Sequence, residues 1–282
     1  MSFRRSLSIK GLNVVDVRYK IKRIKRGHGD NAYWKGIIYS IAPQKLKGNP
    51  AKAVGHVQWL WRNRLVALKQ ERYAPAMKPL QMQFARNCPP ASVLTDQSGM
   101  RHCTLRKICP FCWGRKYIYK VWNHACPAII SDGDKFSPHD REVVLLEYVS
   151  VYDSTNQLLL AAKLYREQEQ VLLKQYCKVH GAIRLEAFFV SPYDPNRLML
   201  RRSTLALTEG YNNELKDLQG LNQHIARQHI NKKQLSDIVA VATQYPPSLL
   251  KADVLQTRNI MEATKRIRSI SFRGCMRKSS EH

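Results

Sequence analysis

Cys88, Cys103, Cys109 and Cys112 are separated by 14, 5 and 2 residues, and the last pair reads Cys109-Pro110-Phe111-Cys112. Two residues between thiolates let both sulfurs face one ion about 2.3 Å away. The two upstream cysteines complete a tetrahedron and leave no position for water, so the zinc implied is structural. His102 and Cys126 stand as alternative ligands for one of the four positions. A thioredoxin-like redox pair is a competing chemistry for C-x-x-C, but it requires the motif to open a helix after a strand in a β-α-β pattern, which the sequence does not suggest here. Ordinary buried thiols are the third reading. Cys177 and Cys275 read as core residues. Seven cysteines make an odd set for a disulfide framework, and a chain of 282 residues needs no staples. Metal-bound thiolates in a reducing, cytoplasmic compartment are the expectation.

The cysteines sit among cations: Arg101, Arg106, Lys107, Arg115 and Lys116 offset thiolate charge and present a basic knob. The whole chain carries 47 Lys+Arg against 21 Asp+Glu, a formal +26. Such a field attracts polyanions, and nucleic acid is the first candidate because each neutralised phosphate releases counterions. "RYKIKRIKRG" alternates Ile with Lys/Arg as a strand with one wet cationic face would. Its Arg18, Lys20, Lys22, Arg23, Lys25 and Arg26 form a phosphate-contacting arm or a solvated charge run. Trp113, Tyr117, Tyr119 and Trp122 are available to stack on bases. No apolar run approaches the roughly 20 residues that span a bilayer, and no membrane partner is expected. Met1 to Arg5 is not followed by a signal-peptide core.

Three segments position these residues. Residues 1–85 form a basic N-terminal region with one long helix to about Tyr73: Asn49 caps it, Pro50 opens it, and Val54, Val57, Trp61, Leu65 and Leu68 make its buried stripe, with Arg62, Arg64, Lys69 and Arg72 mostly off it. Residues 86–130 hold the cysteines and a helix from Trp113 to His124. Residues 141–282 are an α+β core. "EVVLLEYVSV" is a buried strand, and Asp153 or Ser154 caps a helix that runs to about Val179 and ends at Gly181. "AIRLEAFFV" and "RLMLRRSTLAL" form a hairpin, and helices follow at 233–243 and 252–267. This order predicts an antiparallel or mixed sheet of ferredoxin-like type with helices on one face, plus a small zinc-binding subdomain built on four cysteines.

"CTLRKICPFCWGRK" resembles the C-x-x-R-x-C-P-x-C-x-x-R segment of rolling-circle replication initiators of plasmids and phages, members of the HUH endonuclease superfamily. Arg106, Cys109, Pro110, Cys112 and Arg115 match its elements, with one extra residue at Lys107-Ile108. "LEYVSVYDS", the hairpin, and "YPPSLLKAD" followed by "ATKRIRSISFRG" resemble the family's first core strand, His-hydrophobic-His hairpin, tyrosine helix and closing Arg…Gly segment. The likeness covers roughly residues 86–275. It implies origin or single-stranded DNA as partner, a Mg or Mn ion held by paired histidines, and a tyrosine nucleophile, for which Tyr245 is the candidate. Two departures stand out. The second hairpin strand carries Arg201 and Arg202 and no histidine; arginines cannot ligate a metal, but they can grip phosphate. Pro246 keeps Tyr245 out of a regular helix, and Lys251 is farther from it than the family's lysine. His224 and His229 lie five apart, and His180 reads as a helix-end cap. Glu147 and Glu186 read as salt-bridge partners ahead of metal ligands. The resulting expectation is a DNA-binding, initiator-like protein with nicking degenerate or lost. The alternatives are a non-enzymatic zinc-containing RNA-binding protein and a zinc-stabilised partner-binding protein.

Overall fold

The computed structural model describes residues 40–70, 107–130, 141–210 and 221–277 of the chain. The elements are α1 (Pro50–Gln70), α2 (Pro110–Trp113), a π-helical turn (Gly114–Tyr119), α3 (Lys120–Ile129), β1 (Glu142–Tyr152), α4 (Thr155–Tyr176), β2 (Lys178–Val190), β3 (Leu198–Glu209), β4 (Leu221–Gln228), α5 (Lys232–Ala242), α6 (Ser248–Lys251), α7 (Val254–Ala263) and β5 (Ile270–Gly274). The five strands make one antiparallel sheet in the order β4-β1-β3-β2-β5. β3 lies between β1 and β2, which α4 connects, so the first three strands are a split β-α-β unit.

Local chemistry sets the boundaries. Ser154 caps α4 by accepting from Gln157 N at 3.3 Å, and Asn49 accepts from Lys52 N at 3.1 Å. Asn231 and Gln234 form a reciprocal capping box at α5, and Asp253 caps α7. The hairpin turn is the expected one: Ser191 N donates to Arg197 O at 2.8 Å.

Both faces of the sheet are covered by helices, which corrects the expectation of one. Odd-numbered Val143, Leu145, Ile183, Leu185, Phe189, Met199 and Leu205 pack with α1, α3 and α5 in the main core. Even-numbered Val144, Leu146, Phe188, Val190, Leu198 and Leu200 pack beneath α4. Strands apolar at both parities must be buried on both faces, and the continuous run in β1 already carried that requirement. Nor is there a separate cysteine subdomain among the described residues. Ile108, Cys109, Cys112 and Trp113 belong to the same core as Trp61 of α1 and Leu145 of β1.

Gly181 does not end a helix; it sits in β2 at a register shift, opposite Gly274 of β5. A Cβ on Gly181 would lie 2.6 Å from Cys275 Sγ, and one on Gly274 (φ +56°) would lie 2.0 Å from the His180 carbonyl oxygen. The paired glycines let the tail press onto β2, where Cys275 N donates to His180 O at 3.0 Å. Gly274→Ala is expected to lose about 2–4 kcal/mol, summing left-handed strain and the steric clash. Urea unfolding reads this, and a midpoint equal to wild type would contradict it.

Candidate functional site

Cys109 and Cys112 stand at the start of a helical run that continues unbroken through the π-turn to Ile129. Pro110 opens the run, where its missing N–H has no helical partner to lose. The motif therefore does open a helix, although no strand precedes it among the described residues. Both thiols are buried, at 0% and 2% exposure. Three anchors fix this entrance. The Tyr245 hydroxyl donates to Ile108 O at 2.6 Å, Trp113 Nε1 donates to Thr243 O at 2.8 Å, and Lys107 Nζ donates to Thr264 O and to Ile267 O. Trp113 meets Tyr245 edge-on at 5.4 Å and Tyr117 at 4.2 Å. A π-turn in such a helix is uncommon and often marks a specialised site.

Cys109 and Cys112 can supply two ligands of a zinc site; Cys88 and Cys103 lie outside the described residues, as do Arg18, Lys20, Lys22, Arg23, Lys25, Arg26, Arg101, His102 and Arg106, and the side chains of Arg115 and Lys116. Cys126 is fourteen residues beyond Cys112 on one helical run, about 20 Å away, which removes it as a shared ligand. Among the described residues no three His, Cys, Asp or Glu side chains converge as metal ligands. Cys177 is half-buried and bonds Leu173 O at 3.2 Å, whereas Cys275 is exposed, not a core residue.

Among the described residues, the structure turns most of the candidate contact residues inward. Trp113, Tyr117 and Trp122 are buried, so of the four proposed stacking rings only Tyr119 reaches the surface. Tyr245 is 1% exposed. Burial and the neighbouring Cys109 thiol push its phenol well above the ordinary tyrosine range, with Arg64 opposing. A nucleophile must be presented to substrate and able to lose its proton; this phenol is enclosed, and its hydroxyl is committed to a backbone carbonyl.

Arg201 and Arg202 are likewise not phosphate ligands in this fold. Arg201 donates to Gln244 O, and its Nε lies 4.0 Å from Glu147, which also accepts from Ser203 Oγ at 3.1 Å. Burial pushes the Glu147 carboxyl up, while Arg201 and Ser203 draw it back. The cavity beside Arg201, lined by Trp113, Tyr117, Ser203 and Thr243, has about 10 Å³, room for one water at most. On the α4 face, Arg202 is 0% exposed. Its Nε stands 3.0 Å from Glu169 and 3.9 Å from Glu186. None of its nitrogens is aimed well enough to form a hydrogen bond among the described residues. Glu169 also pairs with Arg184 at 2.7 Å and accepts from Thr204 at 2.7 Å, and Glu186 accepts from Arg166 Nε at 2.8 Å. Glu147 and Glu186 thus serve as salt-bridge partners, as expected. Strand alternation explains the result: on a central strand covered on both faces, no side chain points to water.

The histidines do not make a metal pair. His224 lies in edge strand β4 opposite Leu146, and His229 follows the strand at φ +50°. Five residues of extended chain put them about 17 Å apart. His180 lies in β2, not at a helix end, with Nε2 2.8 Å from Glu209. Arg64 is a buried connector: it donates to Ala252 O at 2.5 Å, Asp253 O at 3.3 Å and Thr257 Oγ1, and so docks α1 on the α6–α7 junction.

In the turn between α7 and β5, Lys265, Arg266 and Arg268 all reach solvent within four residues of chain. Its flanks, Thr264 and Ser269, are buried at 0% and 3%, and Lys107 clamps the carbonyls within it. No carboxylate pairs with these three among the described residues, whereas Arg197, Arg258 and Lys178 each pair with an acid. The Lys-Arg-x-Arg spelling is the available signal; in sequence it lies near a helix end, and nothing there separates it from the chain's many other cations.

Enclosed phenols also give the site an alkaline limit. Burial raises Tyr117 and Tyr148 to about 12. A phenol whose folded value exceeds its unfolded value of about 10 gives stability that is whole below pH 10 and is lost as pH climbs toward 12. Tyrosinate absorbance should therefore rise together with unfolding in this window. Full ionisation of the tyrosines in a still-folded protein would contradict it.

No protein-family model, curated protein or solved structure matches this chain.

Proposed function

We propose that the protein binds single-stranded or origin DNA in the manner of a rolling-circle replication initiator, without nicking it. The observation that carries this reading is where the cations lie. Arg166, Arg184, Arg201 and Arg202 are matched inside by Glu147, Glu169 and Glu186, so the +26 excess resides overwhelmingly elsewhere, and the basic turn at Lys265, Arg266 and Arg268 presents part of it on a fixed frame. The β-strand order with β3 inserted between β1 and β2 is compatible with the ferredoxin-like, HUH-type sheet that the resemblance implies. Absence of nicking is inferred from Tyr245, which is enclosed, and from the strand position of the family's histidines, which here carries arginines. Zinc on Cys88, Cys103, Cys109 and Cys112 would lock the helix entrance that Lys107 ties to the basic turn. No Mg or Mn ion has a role in this reading. RNA binding is the second reading; it shares the electrostatics and lacks a base-recognition motif of its own.

Filter binding of a labelled single-stranded oligonucleotide should weaken steeply with salt. Lys265→Gln/Arg266→Gln/Arg268→Gln should reduce the log-log salt slope by about 2, given about 0.7 per phosphate contact on single strands. Denaturing gels after incubation with Mg²⁺ or Mn²⁺ should show no covalent adduct. About one zinc per chain, lost in Cys109→Ser, is expected. A flat salt response would remove the DNA-binding reading, and an adduct would remove the claim that nicking is lost.

A further inference from the structure

We propose that the outward face of α1 is a stacking platform for an unpaired base of single-stranded DNA, with Trp59 as the ring on which the base lies; this rests on the DNA-binding reading above. Trp59 is 58% exposed, whereas Trp61, Trp113 and Trp122 are 0%, 3% and 8% exposed. Burial of an indole is a large stabilising contribution, and leaving one in water on a well-packed helix forgoes it.

The residues around it share its face. Lys52, His56, Arg62, Asn63 and Val66 stand at −7, −3, +3, +4 and +7 from Trp59, the offsets that line one side of a helix. The buried side, with Ala53, Val57, Trp61, Arg64 and Leu65, lies opposite. No Asp or Glu occurs anywhere in the 21 residues of α1. The His56 ring lies nearly parallel to the indole, with centroids 6.1 Å apart and 27° between planes. An aromatic face with cations along the same helix combines the two components that hold single strands: base stacking and phosphate neutralisation.

Gly55 adds an independent argument. Helical side chains lean back toward the residues three and four positions earlier, and the indole of Trp59 lies beside the His56 ring, with open space above Gly55. Glycine is disfavoured in a helix interior. Packing does not require it here, because a Cβ at 55 would meet nothing within 4 Å. A long side chain at 55 could reach the indole through the i, i+4 relation, and glycine leaves that approach open. An apolar protein partner would also tolerate the tryptophan, but it gains nothing from an acid-free, cation-flanked helix.

Fluorescence and filter-binding titrations with a single-stranded DNA oligonucleotide, its RNA counterpart and its duplex test the proposal. Single-stranded DNA should quench indole emission in the wild type, and the quench should vanish in Trp59→Phe while most of the affinity remains. Trp59→Ala should bind about 5- to 140-fold more weakly, the range for one lost base stack, with the salt slope unchanged because no charge is removed. Gly55→Leu, which keeps the tryptophan and can reach over it, should weaken binding in the same direction at a melting temperature equal to or above that of the wild type. Unaltered binding by both Trp59→Ala and Gly55→Leu overturns the platform and leaves the DNA-binding reading standing. Equal loss on duplex DNA, or a loss confined to RNA, overturns the assignment to single-stranded DNA. A wild type that binds no oligonucleotide sinks both readings together.

Discussion

Replacing Glu169 with alanine is expected to remove about 3–5 kcal/mol of folding stability, whereas replacing Arg202 with methionine should cost little or raise stability. The two residues face each other in one buried cluster beneath α4, yet their removal leaves opposite situations. The cluster holds three guanidiniums, Arg166, Arg184 and Arg202, against two carboxylates, Glu169 and Glu186. Without Glu169, Arg184 and Arg202 lose their nearest carboxylate and the Thr204 hydroxyl loses its acceptor, all in a dehydrated layer. A buried charge left without its partner carries a heavy desolvation penalty. Without Arg202, each carboxylate keeps one arginine: Glu169 keeps Arg184 at 2.7 Å and Glu186 keeps Arg166 at 2.8 Å. Two charges then face two, and methionine fills the stem's volume in a layer that already contains Leu198 and Leu200. Burial already pulls the Arg202 guanidinium down to about 10, though it stays charged at neutral pH. Urea denaturation of both variants, with equal m-values, measures the asymmetry. Equal losses would mean that a bound water or anion satisfies Arg202 and that the third guanidinium belongs to the fold.

Period-2 alternation locates β2, the short turn that follows pairs it with β3, and a continuous β-branched run locates β1, because buried strands must be apolar wherever they meet a layer. Ser154, Asn49 and the stripe Val57-Trp61-Leu65 are equally readable, since a cap and a helical period are local properties. What sequence could not supply was the second layer. Arg201 and Arg202 look like surface cations in a one-dimensional reading; only the positions of Glu147, Glu169 and Glu186 on other elements bring them inside. Arg64 is the same case, its acceptors lying 188 to 193 residues away. β4 is hard to see in sequence because an edge strand such as "LNQHIARQ" needs only weak apolarity. Gly181 misleads because a helix-ending glycine and a close-approach glycine are spelled alike; Gly274, the residue that decides between them, lies far downstream. At the cysteines, the spacing signals paired thiols at one helix entrance, and it also suggests Cys126, which an unbroken helix carries far away.

Tyr245→Ala should destabilise the protein by about 3–5 kcal/mol, and Tyr245→Phe by about 1–2 kcal/mol, with the proposed DNA binding unchanged in the phenylalanine variant. The ring and the hydroxyl do separate jobs. The ring fills the core beside Trp113, edge to face, and alanine would leave a cavity where α2 and α5 converge. The hydroxyl donates to Ile108 O, and phenylalanine would remove only that bond. A nucleophile behaves in the reverse way: phenylalanine abolishes an adduct while leaving the fold intact. Ile108 immediately precedes Cys109, so the same ring fixes the approach to the thiols. With zinc bound as proposed, Tyr245→Ala should also release the metal faster to a chelator than Tyr245→Phe does, because the helix entrance loses its backing while the ligands are untouched. Thermal melts, chelator competition and a search for the adduct in both variants separate the roles. A stable Tyr245→Phe protein that has lost a wild-type adduct would return this tyrosine to catalysis. A modest stability loss with no adduct in either protein makes it the post against which the cysteine turn is held.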